Sequence, residues 1–266
     1  MKLYISADIE GISGMCHWDE AVPDRPGYPE FRERMTQHVA AACEGAVAAG
    51  ADAILVKDAH ASARNVFADR LPECAEIVRG WSGHPLMMVQ ELDESFDALA
   101  MVGYHARASS GGNPLAHTMS SSNIALLSVN GDPVSEFHLH AWAGAMFGVP
   151  TVFVSGDEAL CEHARALVPA IEAVPVMRGV GDSSVGLHPK VAERRIREGM
   201  QAALGRDANA CRLELPADFS LEIRYHKATR AYAKSFYPGA RLVDDTTVGL
   251  EATSYFEVLR AINFLI

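Results

Sequence analysis

Hydrophobic residues along this chain fall into short continuous runs rather than strict alternation, and each run stops abruptly at a polar or glycine-bearing stretch. Residues 2–8 form an apolar, β-rich run that ends at Asp8 and meets Gly11 and Gly14, which predicts a buried strand opening into a loop. A polar, proline-bearing stretch, 19–29, follows. Over residues 30–49, Met35, Val39, Ala42 and Ala46 recur at i, i+4, i+7 and i+11, so one helix face is apolar, and Gly50 stands where a terminating glycine belongs. The runs 53–56, 98–102 and 151–154 predict further buried strands, closing on Asp58-Ala59-His60, Gly103-Tyr104-His105 and Ser155-Gly156-Asp157, the last leading into a helix that reaches about residue 167. Strands that are apolar throughout and alternate with helices indicate an α/β fold, a three-layer, doubly wound, mainly parallel sheet. Ligands of such sheets sit at the carboxyl ends of the strands.

Residues 125–129 predict a strand entering the tight-turn pair Asn130-Gly131, and 136–147 have helical spacing with Gly148 and Pro150 as stops. The character changes after about residue 183. His188-Pro189 introduces an amphipathic helix carrying Val191, Ile196 and Met200 and ended by Gly205. Strands are expected at 211–215 and 221–225, and a last helix at 255–266. The expected organisation is therefore an α/β metal-binding catalytic domain over 1–183 and a smaller α+β region over 184–266.

Charge and composition narrow the function. At 266 residues the chain can bury a sizeable core without staples. Its 23 Lys+Arg against 34 Asp+Glu give a formal charge of -11, which repels nucleic-acid phosphates and anionic lipid. Acidic Asp8 and Glu10 arrive before any secretory apolar region, and no stretch approaches a membrane span, so a cytoplasmic protein is expected. Cys16, Cys43, Cys74, Cys161 and Cys211 are odd in number, widely spaced and without a CxxC pair, which argues against a disulfide framework and a thiolate zinc site.

The chemistry concentrates at strand ends. Asp8 and Glu10, two apart on an extended chain, can point to one face as a chelating pair. Alone, such a pair is as often a solvated strand end. His60 and His105, however, occupy equivalent strand-end positions, and parallel topology would gather all four; carboxylates with imidazoles suit zinc or a similar first-row ion. His138 and His140 are two apart on an expected helix, point in different directions and are read as structural.

The segments Ser6-Ala7-Asp8-Ile9-Glu10-Gly11-Ile12-Ser13-Gly14, Asp58-Ala59-His60, Gly103-Tyr104-His105-Ala106-Arg107-Ala108, His117-Thr118-Met119 and Asn130-Gly131 through Glu136 resemble the successive signatures of the D-aminopeptidase family of zinc metallopeptidases. The likeness is strong over about the first 160 residues and weaker beyond. It implies two zinc ions held by Asp8, Glu10, His60, His105 and Glu136, with His117 beside the metals as acid/base or oxyanion-stabilising group. It also implies release of N-terminal D-amino acids from short peptides, and a ring-like homo-oligomer enclosing the sites. Asp58 and Arg107 are candidates for holding the histidines or the substrate. The Ser- and Gly-rich stretch 108–114 and Ser120-Ser121-Ser122 depart from the family pattern at the expected pocket wall. A two-metal centre suits amide hydrolysis by clamping a water and polarising a carbonyl. The rivals are a two-metal phosphohydrolase, which wants a basic clamp where only Arg107 stands near, and a nonenzymatic peptide-binding transport component. A serine hydrolase lacks its G-x-S-x-G elbow.

Overall fold

The apolar run at the start of the chain becomes the middle of a sheet, because a strand flanked on both sides has no solvent face and tolerates no polar alternation. The computed structural model describes residues 1–266. In chain order its first half comprises β1 (Lys2–Ala7), α1 (Trp18–Ala21), α2 (Tyr28–Ala48), β2 (Ala53–Asp58), β3 (Ala75–Val78), β4 (Ala98–Tyr104), β5 (Ile124–Val129) and β6 (Asp132–Pro133). Then follow α3 (Glu136–Met146), β7 (Thr151–Asp157), α4 (Glu158–Leu167), β8 (Glu172–Val180), β9 (Ser183–Gly186), α5 (Pro189–Leu204), β10 (Phe219–Tyr225), α6 (Ala228–Lys234), β11 (Arg241–Leu242), β12 (Thr247–Ala252) and α7 (Tyr255–Leu265).

Seven strands form one sheet in the order β3-β2-β1-β4-β7-β8-β9, parallel throughout except for the β8–β9 hairpin. Helices flank it. Met35, Val39, Ala42 and Ala46 of α2 are fully buried, as their spacing requires. Strand order runs outward from β1 through β2 to β3 and, in the other direction, through β4 to β7. The direction reverses between β1 and β4, and a crevice opens there at the carboxyl ends.

A second, antiparallel sheet has the order β11-β12-β10-β5-β6. In β10, Phe219, Leu221, Ile223 and Tyr225 face inward while Glu222 and Arg224 face solvent, the alternation of a half-buried strand. β5 and β6 turn at Asn130 and Gly131, both at positive φ, the conformation that two-residue hairpin turns require. This sheet draws strands from both sides of residue 183, and the expected boundary falls within β9 of the first sheet. A single cluster of 74 buried residues runs through both parts, from Leu3 to Leu265.

Residues 211–215 do not form the expected strand. A 3-10 turn, Ala208–Cys211, is followed by chain that forms no strand pairing, and its apolar residues pack on the core without a ladder. No helix is long and apolar enough to cross a membrane.

Candidate metal centre and its cavity

Asp8 and Glu10 follow β1, but not as neighbours on an extended strand. The chain turns sharply after Asp8, and the Gly11 N–H donates to the Gly103 carbonyl at 2.8 Å. A side chain at Gly11 would collide with the Tyr104 carbonyl, and one at Gly103, itself at φ +74°, with the Asp8 carbonyl. Only glycines let the ends of β1 and β4 come this close. That approach brings Asp8 onto His105.

The six side chains converge in two adjoining groups, Asp8–Glu10–His60 and His105–His117–Glu136. Asp8 joins them. Its Oδ1 lies 3.3 Å from His60 Nδ1, and its Oδ2 lies 3.6 Å from His105 Nε2. Glu10 Oε2 is 3.1 Å from His60 Nδ1, Glu136 Oε2 is 3.4 Å from His105 Nε2, and Glu136 Oε1 is 3.5 Å from His117 Nε2. Glu136 opens α3, where Ser135 caps the helix, and its Oε1 also accepts the Met119 N–H at 2.6 Å.

Each imidazole is tied at its other nitrogen to a backbone carbonyl. His60 Nε2 meets Ala21 O at 2.7 Å, His105 Nδ1 meets Ala106 O at 2.9 Å and His117 Nδ1 meets Leu115 O at 2.9 Å. A carbonyl only accepts, so in each ring that nitrogen carries the hydrogen and the nitrogen facing the carboxylates presents a lone pair in the neutral imidazole. Lone pairs aimed at carboxylate oxygens repel unless a cation lies between. Glu10 Oε2 and His105 Nε2 are buried without a hydrogen-bond partner, and the donors are the oxygen and imidazole type that zinc accepts. The residues fit a divalent metal.

Without a cation, protons balance the charge. Burial raises the Asp8 carboxyl well above its usual range, and the Glu10 charge adds to that. Burial opposes ionisation of Glu10 and Glu136 too, but His60 outweighs it at Glu10, and His105 with His117 hold Glu136 at about 2. Burial would lower His60 and His105, yet Glu10 and Asp8 around the first and Glu136 around the second hold both well above the ordinary histidine value. Burial, reinforced by His105, lowers His117.

Asp58 stands behind His60. Its oxygens accept the Asn65 and Val66 N–H groups and the Asn65 side-chain amide, which also donates to the His60 carbonyl at 2.8 Å. Arg107 points elsewhere, into a separate cavity beside Ser110 and His163, and donates to the Ala108 carbonyl. His138 packs edge-on against Trp142, and His140 Nδ1 bonds the Glu136 backbone carbonyl; neither joins the cluster. Two residues not anticipated from sequence brace the centre. Asp157, at the end of β7, accepts the Ala106 N–H at 2.7 Å, and Asn113 donates to both Asp157 and the Glu10 carbonyl. Asp157 ends its strand as Asp58 ends β2, which is the one signal that could have marked it.

The cluster floors a cavity of about 450 Å³ whose wall includes Trp18, Trp81, Met87, Met88 and Met119 together with Ser120, Ser121 and Ser122. No lysine or arginine lines it. His117 reaches it from a half-buried position, with Trp18 edge-on at 5.4 Å.

The D-aminopeptidase family model matches residues 1–264. The D-aminopeptidase of Bacillus subtilis (strain 168) is 30% identical over 263 residues, covering 98% of this chain and 95% of that protein. A solved structure, the Zn-dependent D-aminopeptidase DppA from Bacillus subtilis, described as a self-compartmentalizing protease, superposes with a TM-score of 0.94 at 28% identity, covering 100% of this chain and 96% of that one. With its matched length, its shared fold and a donor cluster at the switch point of the sheet, this chain belongs to the D-aminopeptidase family.

Proposed function

We propose that the protein is a zinc-dependent aminopeptidase that removes N-terminal D-amino acids from short peptides, with two ions held by Asp8, Glu10, His60, His105 and Glu136. The observation that carries this reading is the set of backbone-tethered imidazoles aimed lone pair first at buried carboxylates. Asp8, whose two oxygens face different histidines, would contribute to both ion sites. Metal bound there supplies Lewis-acid polarisation of the scissile carbonyl and a lowered pKa for the attacking water.

The chain's own groups do the rest. A cavity floored by carboxylates and free of lysine and arginine favours the protonated amine of a peptide terminus. His117, neutral because its imidazole is buried beside His105, accepts the proton of the attacking water at Nε2 and delivers it to the leaving amine nitrogen as the C–N bond breaks. The Leu115 carbonyl fixes the tautomer that leaves Nε2 free for this. Asp58 acts through Asn65 to position His60. A phosphohydrolase would need a cationic phosphate clamp, and Arg107 lines a different cavity.

A ring-like homo-oligomer is part of the same reading, supported by the self-compartmentalizing description of the solved relative and by exposed Tyr232, Phe236 and Phe264. A cytoplasmic location is supported by five cysteines that are all free. We also read 1–183 as the unit carrying the catalytic residues and 184–266 as the smaller region that completes the antiparallel sheet. The experiment is turnover of D- and L-aminoacyl peptides and of phosphate esters by metal-stripped and zinc-loaded protein. Zinc-dependent release of the D-amino acid supports the reading, and full activity after stripping, or phosphatase activity alone, overturns it.

A further inference from the structure

The cavity wall carries two indoles. Trp18 is half-buried beside His117, whereas Trp81 is 44% exposed and borders the open space. An exposed indole on a loop would ordinarily sample several rotamers, but this one is fixed from two sides. Its Nε1–H donates to the Ala61 carbonyl at 2.7 Å, and the Lys57 ammonium lies 4.1 Å from the ring centroid. That ammonium is held in turn by the Asp58 and Gly80 carbonyls, both at 2.7 Å, so a wholly buried lysine is committed to one ring face. Cation–π contacts of this kind are strongest when desolvated. Ordering the ring before ligand arrives removes an entropy cost from binding.

The surroundings define what the ring can bind. Met87 and Met88 on the same wall are soft apolar fillers, and no lysine or arginine offers a charge to a substrate carboxylate. The tether is Ala61, next to His60, so Trp81 stands close to the acidic floor that receives the substrate amine. The side chain nearest that amine is the one on the same Cα.

We infer that Trp81 is a specificity-determining residue that stacks against a large apolar, above all aromatic, side chain on the N-terminal residue of the substrate, with Lys57 as its positioning residue. This rests on the aminopeptidase reading. It makes the cavity selective for phenylalanine-like over alanine-like N-terminal residues, a discrimination that apolar pockets deliver at roughly tenfold to hundredfold.

The test compares zinc-loaded wild type, Trp81→Ala, Trp81→Phe and Lys57→Met on D-phenylalaninamide and D-alaninamide, with calorimetric binding of the uncleavable D-phenylalaninol and D-alaninol alongside. Wild type should favour the aromatic substrate by about tenfold or more in kcat/KM. Trp81→Ala should erase that preference while leaving D-alaninamide within about twofold, Trp81→Phe should keep most of it, and the amino alcohols should follow the same order in affinity. Lys57→Met should raise KM for D-phenylalaninamide at unchanged kcat. No aromatic preference in wild type, or an equal loss on both substrates in Trp81→Ala, overturns the assignment, and a fall in kcat on both substrates in Lys57→Met overturns its positioning role. If wild type cleaves neither amide, the aminopeptidase reading fails, and the amino alcohol affinities alone decide the role of Trp81.

Discussion

His105 and His117 lie face to face, with ring centroids 4.4 Å apart and planes 13° from parallel, and both direct Nε2 at the Glu136 carboxylate. They differ in burial. His105 has no exposed side-chain surface, while His117 is 13% exposed and lines the cavity. Stacked rings of equal reach therefore divide the work, one holding metal and the other facing substrate. His105→Ala should lose metal and activity together. His117→Ala should keep near-normal metal content with kcat lowered by about 10²–10⁴ and little change in KM. Metal analysis with steady-state kinetics checks this, and a metal-depleted His117→Ala would redraw that residue as a ligand.

Three carboxylates buried among imidazoles form a donor set that binds metal only in the folded chain, so metal should stabilise the fold. Zinc at about a hundredfold over its Kd should stabilise the fold by about 2.7 kcal/mol per ion, seen as a rise in Tm. Glu10→Gln removes the carboxylate that pairs with buried His60, so it should lower the Tm of stripped protein and also shrink the zinc-induced rise. Calorimetry with and without chelator measures both, and an unchanged zinc response would remove Glu10 from the ligand set.

Asp58 reaches the centre only through the 60–66 turn. Asn65→Ala deletes the amide that links Asp58 to the His60 carbonyl and should weaken zinc binding by about 10–100-fold, the range for lost outer-sphere support. Competition with a chromophoric chelator gives the affinity, and a wild-type value would leave Asp58 with a purely structural task.

His38 is buried in α2, far along the chain from the centre, and neither ring nitrogen has a partner. Burial, with Arg34 adding to it, lowers this imidazole to about 3. Because the folded value lies below the unfolded 6.5, the neutral ring's contribution is complete above about pH 6.5 and is lost as pH falls toward 3. The loss reaches on the order of 5 kcal/mol at the acid end. His38→Leu should leave stability at pH 8 equal or higher and flatten the decline below pH 6.5 in urea titrations; an identical pH profile would contradict this.

Much of the centre was legible because parallel strands are uniformly apolar and stop sharply, so Asp8, His60 and His105 stand out at their ends. Glu10 was found by a period-two geometry that the turn at Gly11 replaces. Asn113 was not legible, since it acts through a hydrogen bond to the Glu10 carbonyl across 103 residues and leaves no local pattern, and Asp157 showed only its place at a strand end. Pro175 interrupts the pattern of β8, the longest strand, and β12 follows a polar Asp244-Asp245-Thr246 turn, so neither was expected. The 211–215 run was apolar enough for a strand but has no partner to pair with.

Anomalous diffraction at the zinc absorption edge, from crystals of zinc-loaded protein, tests the two-ion centre most directly. The expected result is a pair of peaks, one among Asp8, Glu10 and His60 and one among Asp8, His105 and Glu136, with Asp8 common to both. A single peak, or peaks away from these five side chains, would contradict it.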